Sequence, residues 1–483
     1  MENKDTVEMS TTLDGKVQPT ANNVPDLVQI GQIPSNLVMD YDTTVYEPVV
    51  KSQNFVRFQI DNKGILHSNS KLTLSMDTGV NASDFFPVGV GVNSLISRAT
   101  LKSGGQTLSE IDDWNYYMGY KSMFIQSENN KERESVTTSR LMNFKNLYNV
   151  SGVAPTSASS ASETVIENTK AEKIGLDVGK NCLAVTSNTN CSTTLPVYLQ
   201  GDKKAEFQIN LSALFPMLQM NQIPLYMLRD PLFIELSFTS NSTGERMSSK
   251  LNSTSGKEID LNNIHMIIDH IYYPAEQMEQ YAAANPQITL SYMDYRLSKQ
   301  SLNADQAVNN IRNVGGAGRI ITKVIHSIGV APDTGNLQNN RQRLLNLYES
   351  QYPNTANEKF DVNVYYNNDF LYPIDLNNSA RAYNLVGLTE NVMPYVPRDV
   401  YNSEGGIISA TDNVMTLNQS TDLTGKLFWT SHRLNRGERV NGTGIDMYTK
   451  YDKLPAGNYV QRVWLEYTKI ATITNGIVNV YNA

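Results

Sequence analysis

Five histidines, two cysteines and scattered carboxylates are the residues through which this chain could perform acid–base, nucleophilic or metal chemistry. The histidines are His67, His265, His270, His326 and His432. His265 and His270 stand five apart, a spacing that brings two imidazoles to one ion from neither a helix nor a strand, and no HExxH accompanies them. Asp269 and His270 are adjacent in "MIIDHIYY" (266–273), but neighbours on a strand point to opposite faces. "NVGGAGRII" (313–321) has the glycines of a phosphate loop without G-x-G-x-x-G or the Walker Lys-Ser/Thr. It reads instead as a loop leading into a strand, with Arg319 holding a carbonyl or carboxylate. Glu110, Asp112 and Asp113 in "EIDDW" imitate a glycosidase pair, yet a helix start favours acids for its own electrostatic reasons. Cys182 and Cys191 lie in a polar stretch; free thiols are expected there rather than a disulfide, and two thiols alone support no metal site. No catalytic, cofactor-binding or metal-binding residue is assigned, and no enzymatic activity is expected.

The elements that carry these residues belong to a folded chain. Its 483 residues, 40% hydrophobic and 18% charged, suffice for two or more domains with a large core. Lys+Arg 40 against Asp+Glu 48 gives −8, a field that repels polyanions, so no direct nucleic-acid binding is expected. No run of 18 apolar residues is present to span a membrane as a helix. The amino-terminal "MENKDTVEMSTTLDGK" lacks the basic start and apolar run of a secretory signal, so export by a signal peptide is not expected.

The dominant period is two. "VRFQI" (56–60), "KLTLSM" (71–76), "EFQINL" (206–211) and "LFIELSF" (232–238) each alternate large apolar with polar or smaller residues, as do "ITLSY" (288–292), "FDVNVYY" (360–366) and "VWLEY" (463–467). Such alternation predicts antiparallel strands with one face buried and one polar, packed as sandwiches. Gly104-Gly105 and Asn475-Gly476 supply hairpin turns. Helices are few: "EIDDWNYYMGYKSMFIQ" (110–126), with its three acids at the amino end, and "NLQNNRQRLLNLYES" (336–350). The greasiest stretch, "LFPMLQMNQIPLYMLRDPLFIELSF" (214–238), is broken by three prolines into a helical turn, a bend at Ile223-Pro224 and a core strand. "EFQINL" and "KFDVNV" (359–364) share a pattern, each followed by an aromatic-Pro pair and preceded by a strand-then-helix unit, which suggests a duplicated sandwich. Residues 127–197 and 402–422 have no apolar period and read as surface excursions.

Three stretches carry a family likeness: "SLISRATLKSGGQTLSEIDDWNYY" (94–117), "FQINLSALFPMLQMNQIPLYMLRDPLFIELSF" (207–238) and "YVQRVWLEYTKIATITNGIVNVYNA" (459–483). They resemble the double jelly-roll major capsid proteins of double-stranded DNA viruses, the lineage of nucleocytoplasmic large viruses, virophages and polinton-like viruses. The resemblance implies an all-β fold of two tandem eight-stranded antiparallel jelly rolls with a few short helices and long loops. It divides the chain into an amino-terminal arm (1–45), a first roll (46–275) with the loop 127–197, and a second roll (276–483) with the loop 402–422. It implies a structural protein that forms pseudo-hexagonal homotrimers in an icosahedral shell. Its partners would be neighbouring capsomers, minor capsid and penton proteins, and a host receptor met by the outer loops. The place implied is the virion, after assembly in the host cytoplasm or nucleus, and no cofactor is implied.

Two other readings compete: a glycan-binding or glycan-processing protein on paired jelly rolls, and a minor or vertex capsid protein. The first normally gathers acids and Trp in one cleft; the second more often has a single roll. Because residues 130–195 lack core-forming periodicity, their deletion should leave soluble, folded oligomer intact by sizing chromatography. Loss of soluble protein would make that span an interlocking element.

Overall fold

The computed structural model describes residues 9–11, 17–19, 40–75, 84–85, 90–121, 124, 133, 137–138, 206–240, 248–249, 258–303, 308–331, 361–367, 369–371, 388–390, 429–434, 437–451 and 458–482. Cys182, Cys191, the helix expected over 336–350, the loop 402–422 and most of the loop 127–197 lie outside these residues.

Eight strands build the first roll: β1 Asp40–Tyr46, β2 Phe55–Ile60, β3 Lys71–Ser75, β4 Ile96–Ser103, β5 Gln106–Asp112, β6 Glu206–Asn210, β7 Leu232–Phe238 and β8 His265–Tyr272. One sheet has the order β1-β8-β3-β6 and the facing sheet β5-β4-β7-β2, with two-residue strands at Val50–Lys51, Ile65–Leu66 and Ile223–Pro224 extending them. Eight more build the second: β9 Gln287–Asn303, β10 Val308–Gly315, β11 Ile321–Val330, β12 Asp361–Tyr366, β13 Asp369–Leu371, β14 Thr430–Arg433, β15 Ile445–Tyr451 and β16 Asn458–Thr474. Their sheets are β9-β16-β11-β14 and β10-β15-β12-β13. In both rolls the first strand pairs the eighth, the eighth the third and the third the sixth. Likewise the second pairs the seventh, the seventh the fourth and the fourth the fifth. That is the jelly-roll connection, twice, and the fold is all-β.

The duplication of topology is real, but the sequence match that suggested it is not its trace. "EFQIN" is the sixth strand of its roll, whereas "DVNVYY" is the fourth of the other. The counterpart of β6 is β14, "TSHR". A short alternating pattern repeats by chance because every half-buried strand must use it.

Burial follows the alternation through the first roll. Val56, Phe58, Ile60, Leu101, Ile234 and Leu236 are fully buried, with Ile234 opposite Phe58 on one side and Leu101 on the other. Each such side chain contributes roughly 1.5–3 kcal/mol before ordering entropy is subtracted. The proline-broken stretch forms two four-residue turns, Leu211–Leu214 and Met217–Met220. Its Ile223–Pro224 is a short strand paired with Ile65–Leu66, and β7 follows.

"VWLEY" departs from the expected pattern. Val463, Leu465 and Tyr467 are buried as predicted, but so are Trp464 and Glu466. The reason is that β16 serves two cores. β9 and β16 pair in register over all 17 residues, Gln287–Asn303 against Asn458–Thr474. β11 covers the far edge of β16 from Tyr459 to Tyr467, and then a final strand, β17 (Ile477–Asn482), takes over from Lys469. The ribbon thus runs past the second roll, and its Leu290, Tyr292, Ala471, Ile473 and Val478 pack into the core of the first. The turn at its tip has Asn475 at φ 51° and Gly476 at φ 79°, the left-handed pair of a tight hairpin. The Gly476 carbonyl accepts the Arg229 N–H at 2.8 Å, and a side chain there would stand 3.1 Å from that same backbone.

The helix predicted from Glu110 starts later. Glu110 and Asp112 are the end of β5, Asp113 turns the chain at φ 51°, and α1 spans Trp114–Lys121. Every residue from Trp114 to Tyr120 is buried, so α1 has no polar face, contrary to the amphipathic expectation.

Two histidines lie in the second roll on paired strands, His326 on β11 and His432 on β14. His326 Nδ1 is 3.2 Å from the Thr430 hydroxyl and its Nε2 is 3.0 Å from the Gln461 amide nitrogen. The amide N–H therefore donates to an unprotonated Nε2, while the Gln461 oxygen accepts from Arg312 at 3.4 Å. Burial lowers His326 to about 3, with His432 and Arg312 adding to it, and burial takes His432 to about 4. The unfolded chain takes up these protons near pH 6.5 and the native one does not, so stability is full above that pH and lost as pH falls toward 4 and 3. The melting temperature should fall steadily from pH 7 to pH 5, and His326→Gln should flatten that slope by about one proton's worth, ~1.4 kcal/mol per pH unit. An unchanged slope would show that His326 does not control it.

Candidate functional site: the seam between the rolls

The second face of β16 generates the site. Alternation turns Val463 and Leu465 into the second roll's core, so Arg462, Trp464 and Glu466 project the other way. Trp464 is fully buried and its indole N–H donates to the Asp112 carbonyl at 3.2 Å. Arg462 Nε donates to Asp113 Oδ2 at 2.7 Å while its guanidinium lies 3.5 Å from the centre of the Tyr116 ring. Lys299 of β9 donates to the other oxygen of Asp113. The Asp113 backbone sits in the left-handed region at φ 51°, which Asp tolerates at a turn.

Further along the ribbon, Asp294 of β9 is 1% exposed. It accepts from the Ser109 hydroxyl at 3.0 Å, the Glu110 N–H at 3.2 Å, the Tyr467 hydroxyl at 3.3 Å and Lys469 at 2.9 Å. Lys469 also donates to the Thr107 carbonyl at 3.1 Å, and the Tyr292 hydroxyl to the Leu108 carbonyl at 2.6 Å. Burial pushes the Asp294 carboxyl up, with Lys469 and three hydrogen bonds opposing. A cluster of Trp114, Tyr117, Tyr120, Tyr295, Trp429 and Trp464 shields these pairs. Its ring centroids stand 4.9 Å apart for Tyr117–Tyr295, 5.4 Å for Tyr120–Trp429 and 5.8 Å for Trp429–Trp464. At its edge Glu390 accepts from Tyr120 at 2.7 Å and from Lys323 at 3.0 Å. Burial works to raise Glu390, but Lys323 and Lys121 outweigh it and hold the carboxyl below its ordinary range.

The carboxylates of "EIDDW" are thus spent on pairing rather than on helix-start electrostatics or on acid–base work. Glu110 and Asp112 both meet Arg98, at 2.6 Å and 3.4 Å, and Asp113 meets Arg462 and Lys299. His270 is buried against the Tyr46 hydroxyl at 3.1 Å and the Lys63 carbonyl at 3.0 Å, while Asp269 accepts from Thr43. Arg319, expected to hold a carbonyl or carboxylate, stacks instead 4.6 Å over the Tyr467 ring. Its loop takes positive φ at Gly315, Gly316 and Gly318. Among the described residues no group of three or more His, Cys, Asp or Glu is placed to hold a metal, and no helix among them is long and apolar enough to cross a membrane. What the arrangement can do is lock one roll to the other. The lock joins Arg462 to Asp113 and Lys469 to the Thr107 carbonyl, 349 and 362 positions apart, which no local pattern signals.

No protein-family model matches the sequence and no curated protein matches it. Solved structures do match. PBCV-1 VP54, as fitted into a cryo-EM reconstruction of the virophage Sputnik, has TM-score 0.54 at 10% identity over 93% of this chain and 98% of that one. The mavirus major capsid protein has TM-score 0.51 at 10% identity over 100% of this chain and 96% of that one. A chain of the cryo-EM structure of the Sputnik virophage has TM-score 0.50 at 10% identity, over 92% and 88%. At such identities the likeness is one of fold: the chain is a double jelly roll, built as the mavirus major capsid protein is built.

Proposed function

We propose that this chain is a structural major capsid protein, three copies of which form a pseudo-hexagonal capsomer in the icosahedral shell of a DNA virus. The observation that carries the reading is end-to-end likeness: the mavirus major capsid protein matches over 100% of this chain and 96% of its own. The seam supports it, because a tile needs two rolls at one fixed angle, and buried ion pairs on a shared strand supply that. The partners would be neighbouring capsomers and minor and penton capsid proteins, with outer loops facing the host, and the protein would reside in the virion. The division into an arm (1–45) and two rolls (46–275, 276–483) belongs to the same proposal. Three chains at −8 make a −24 capsomer, which supports basic proteins or a membrane, rather than the genome, as the inner neighbour.

Purified protein should run as a compact trimer by sizing with light scattering and show hexagonal outlines in negative stain; a stable monomer would sink the reading. Asp294→Ala should strand Lys469, whose side chain is 10% exposed, and cost about 3–5 kcal/mol. Calorimetry should show a lowered Tm, with trimer yield reduced in step. An unchanged Tm would mean that the seam does not hold the rolls.

A further inference from the structure

A cavity of about 610 Å³ opens beside the seam, where the polar faces of β3, β6 and β8 meet α1. Three cations line it from three places: Lys71 on β3, Lys121 at the end of α1, and Arg133. None of the three forms a salt bridge among the described residues. Among the described residues a single carboxylate, Asp269, lines the cavity with them, and it accepts from the Thr43 hydroxyl at 2.8 Å. In a chain of net charge −8, this one cavity therefore carries a local excess of positive charge. Trp114, Tyr117 and Phe124 add aromatic surface, and the Trp114 indole N–H is buried without a protein acceptor.

Cations gathered at one cavity favour an anion between them, and charge-assisted hydrogen bonds to an oxyanion are the strong form of that attraction. The Lys121 amine lies 5.7 Å from the centre of the Tyr117 ring and is held below its ordinary range, first by burial, with the Glu390 charge opposing. The volume falls within the roughly 300–1,000 Å³ range of small-molecule sites and exceeds what a bare oxyanion fills. The aromatic residues suit an organic body. We propose that this cavity binds a small molecule bearing a phosphate or sulfate group, with Lys71, Lys121 and Arg133 as the oxyanion's partners and the organic part against Trp114 and Phe124. The proposal does not depend on the capsid reading.

Isothermal titration of the full-length protein at constant ionic strength, with inorganic phosphate, glucose 6-phosphate and glucose 6-sulfate as separate probes, tests it. Saturable binding is expected, tighter for the esters than for phosphate, and the two esters distinguish phosphate from sulfate chemistry. The double variant Lys71→Gln/Arg133→Gln should weaken binding at least tenfold while leaving Tm and oligomeric state unchanged. Absence of saturable heat for all three probes would overturn the proposal, as would equal affinity in the double variant. Should that variant fold poorly, phosphorus NMR line broadening on the wild type, saturable with glucose 6-phosphate and absent with glucose, decides the question alone.

Discussion

The structure depends on a strand that two cores share. β16 is covered on both faces, Val463 and Leu465 by one roll and Trp464 by the aromatic residues of the other. A strand in that position removes the freedom that tandem domains ordinarily keep, since neither core closes without it. The charges set along it do something that apolar residues would not. Taking Asp294, Lys469, Arg462 and Asp113 out of water costs several kcal/mol per ion, and a well-packed apolar seam would be as stable or more so. Paired charges and hydrogen bonds, however, are satisfied in one geometry only, as Arg462 is on Asp113 and Lys469 on the Thr107 carbonyl. Arg462 and Lys469 are seven residues apart on one strand, about 23 Å at the rise of a β-strand. Two fixed points that far apart set an angle as well as a contact.

How much of this was legible depended on whether the cause was local. The strands were readable wherever one face met a core and the other met water, as in "VRFQI" and "LFIELSF", because the side-chain period reports that boundary directly. The Asn475-Gly476 turn was readable because left-handed φ demands particular residues. The extent of β5 was misread for the opposite reason. Acids before a Trp fit a helix start on local grounds, but Arg98, across the hairpin, holds Glu110 and Asp112 in the sheet. α1 was read as amphipathic, although tertiary burial closes over it on every side. The seam was invisible for a further reason: its pairs join residues far apart in the chain. The one local trace was Trp464 and Glu466 at positions of "VWLEY" that a half-exposed strand would give to small polar residues.

The shared ribbon also orders the life of the chain in time. Ala471, Ile473 and Val478, from the last fifteen residues, are part of the first roll's core, and the Gly476 carbonyl closes on Arg229. The amino-terminal roll, though encoded first, cannot bury its apolar surface until the carboxyl end has been made. Long-range pairing of that kind folds slowly and leaves apolar surface open meanwhile. The same dependence means that a chain lacking its carboxyl end leaves Asp113 without Arg462 and the Thr107 carbonyl without Lys469. Only a chain that carries both ends of these contacts holds the two rolls at one fixed angle, so the relative placement of the rolls is set after the last strand of the ribbon is made.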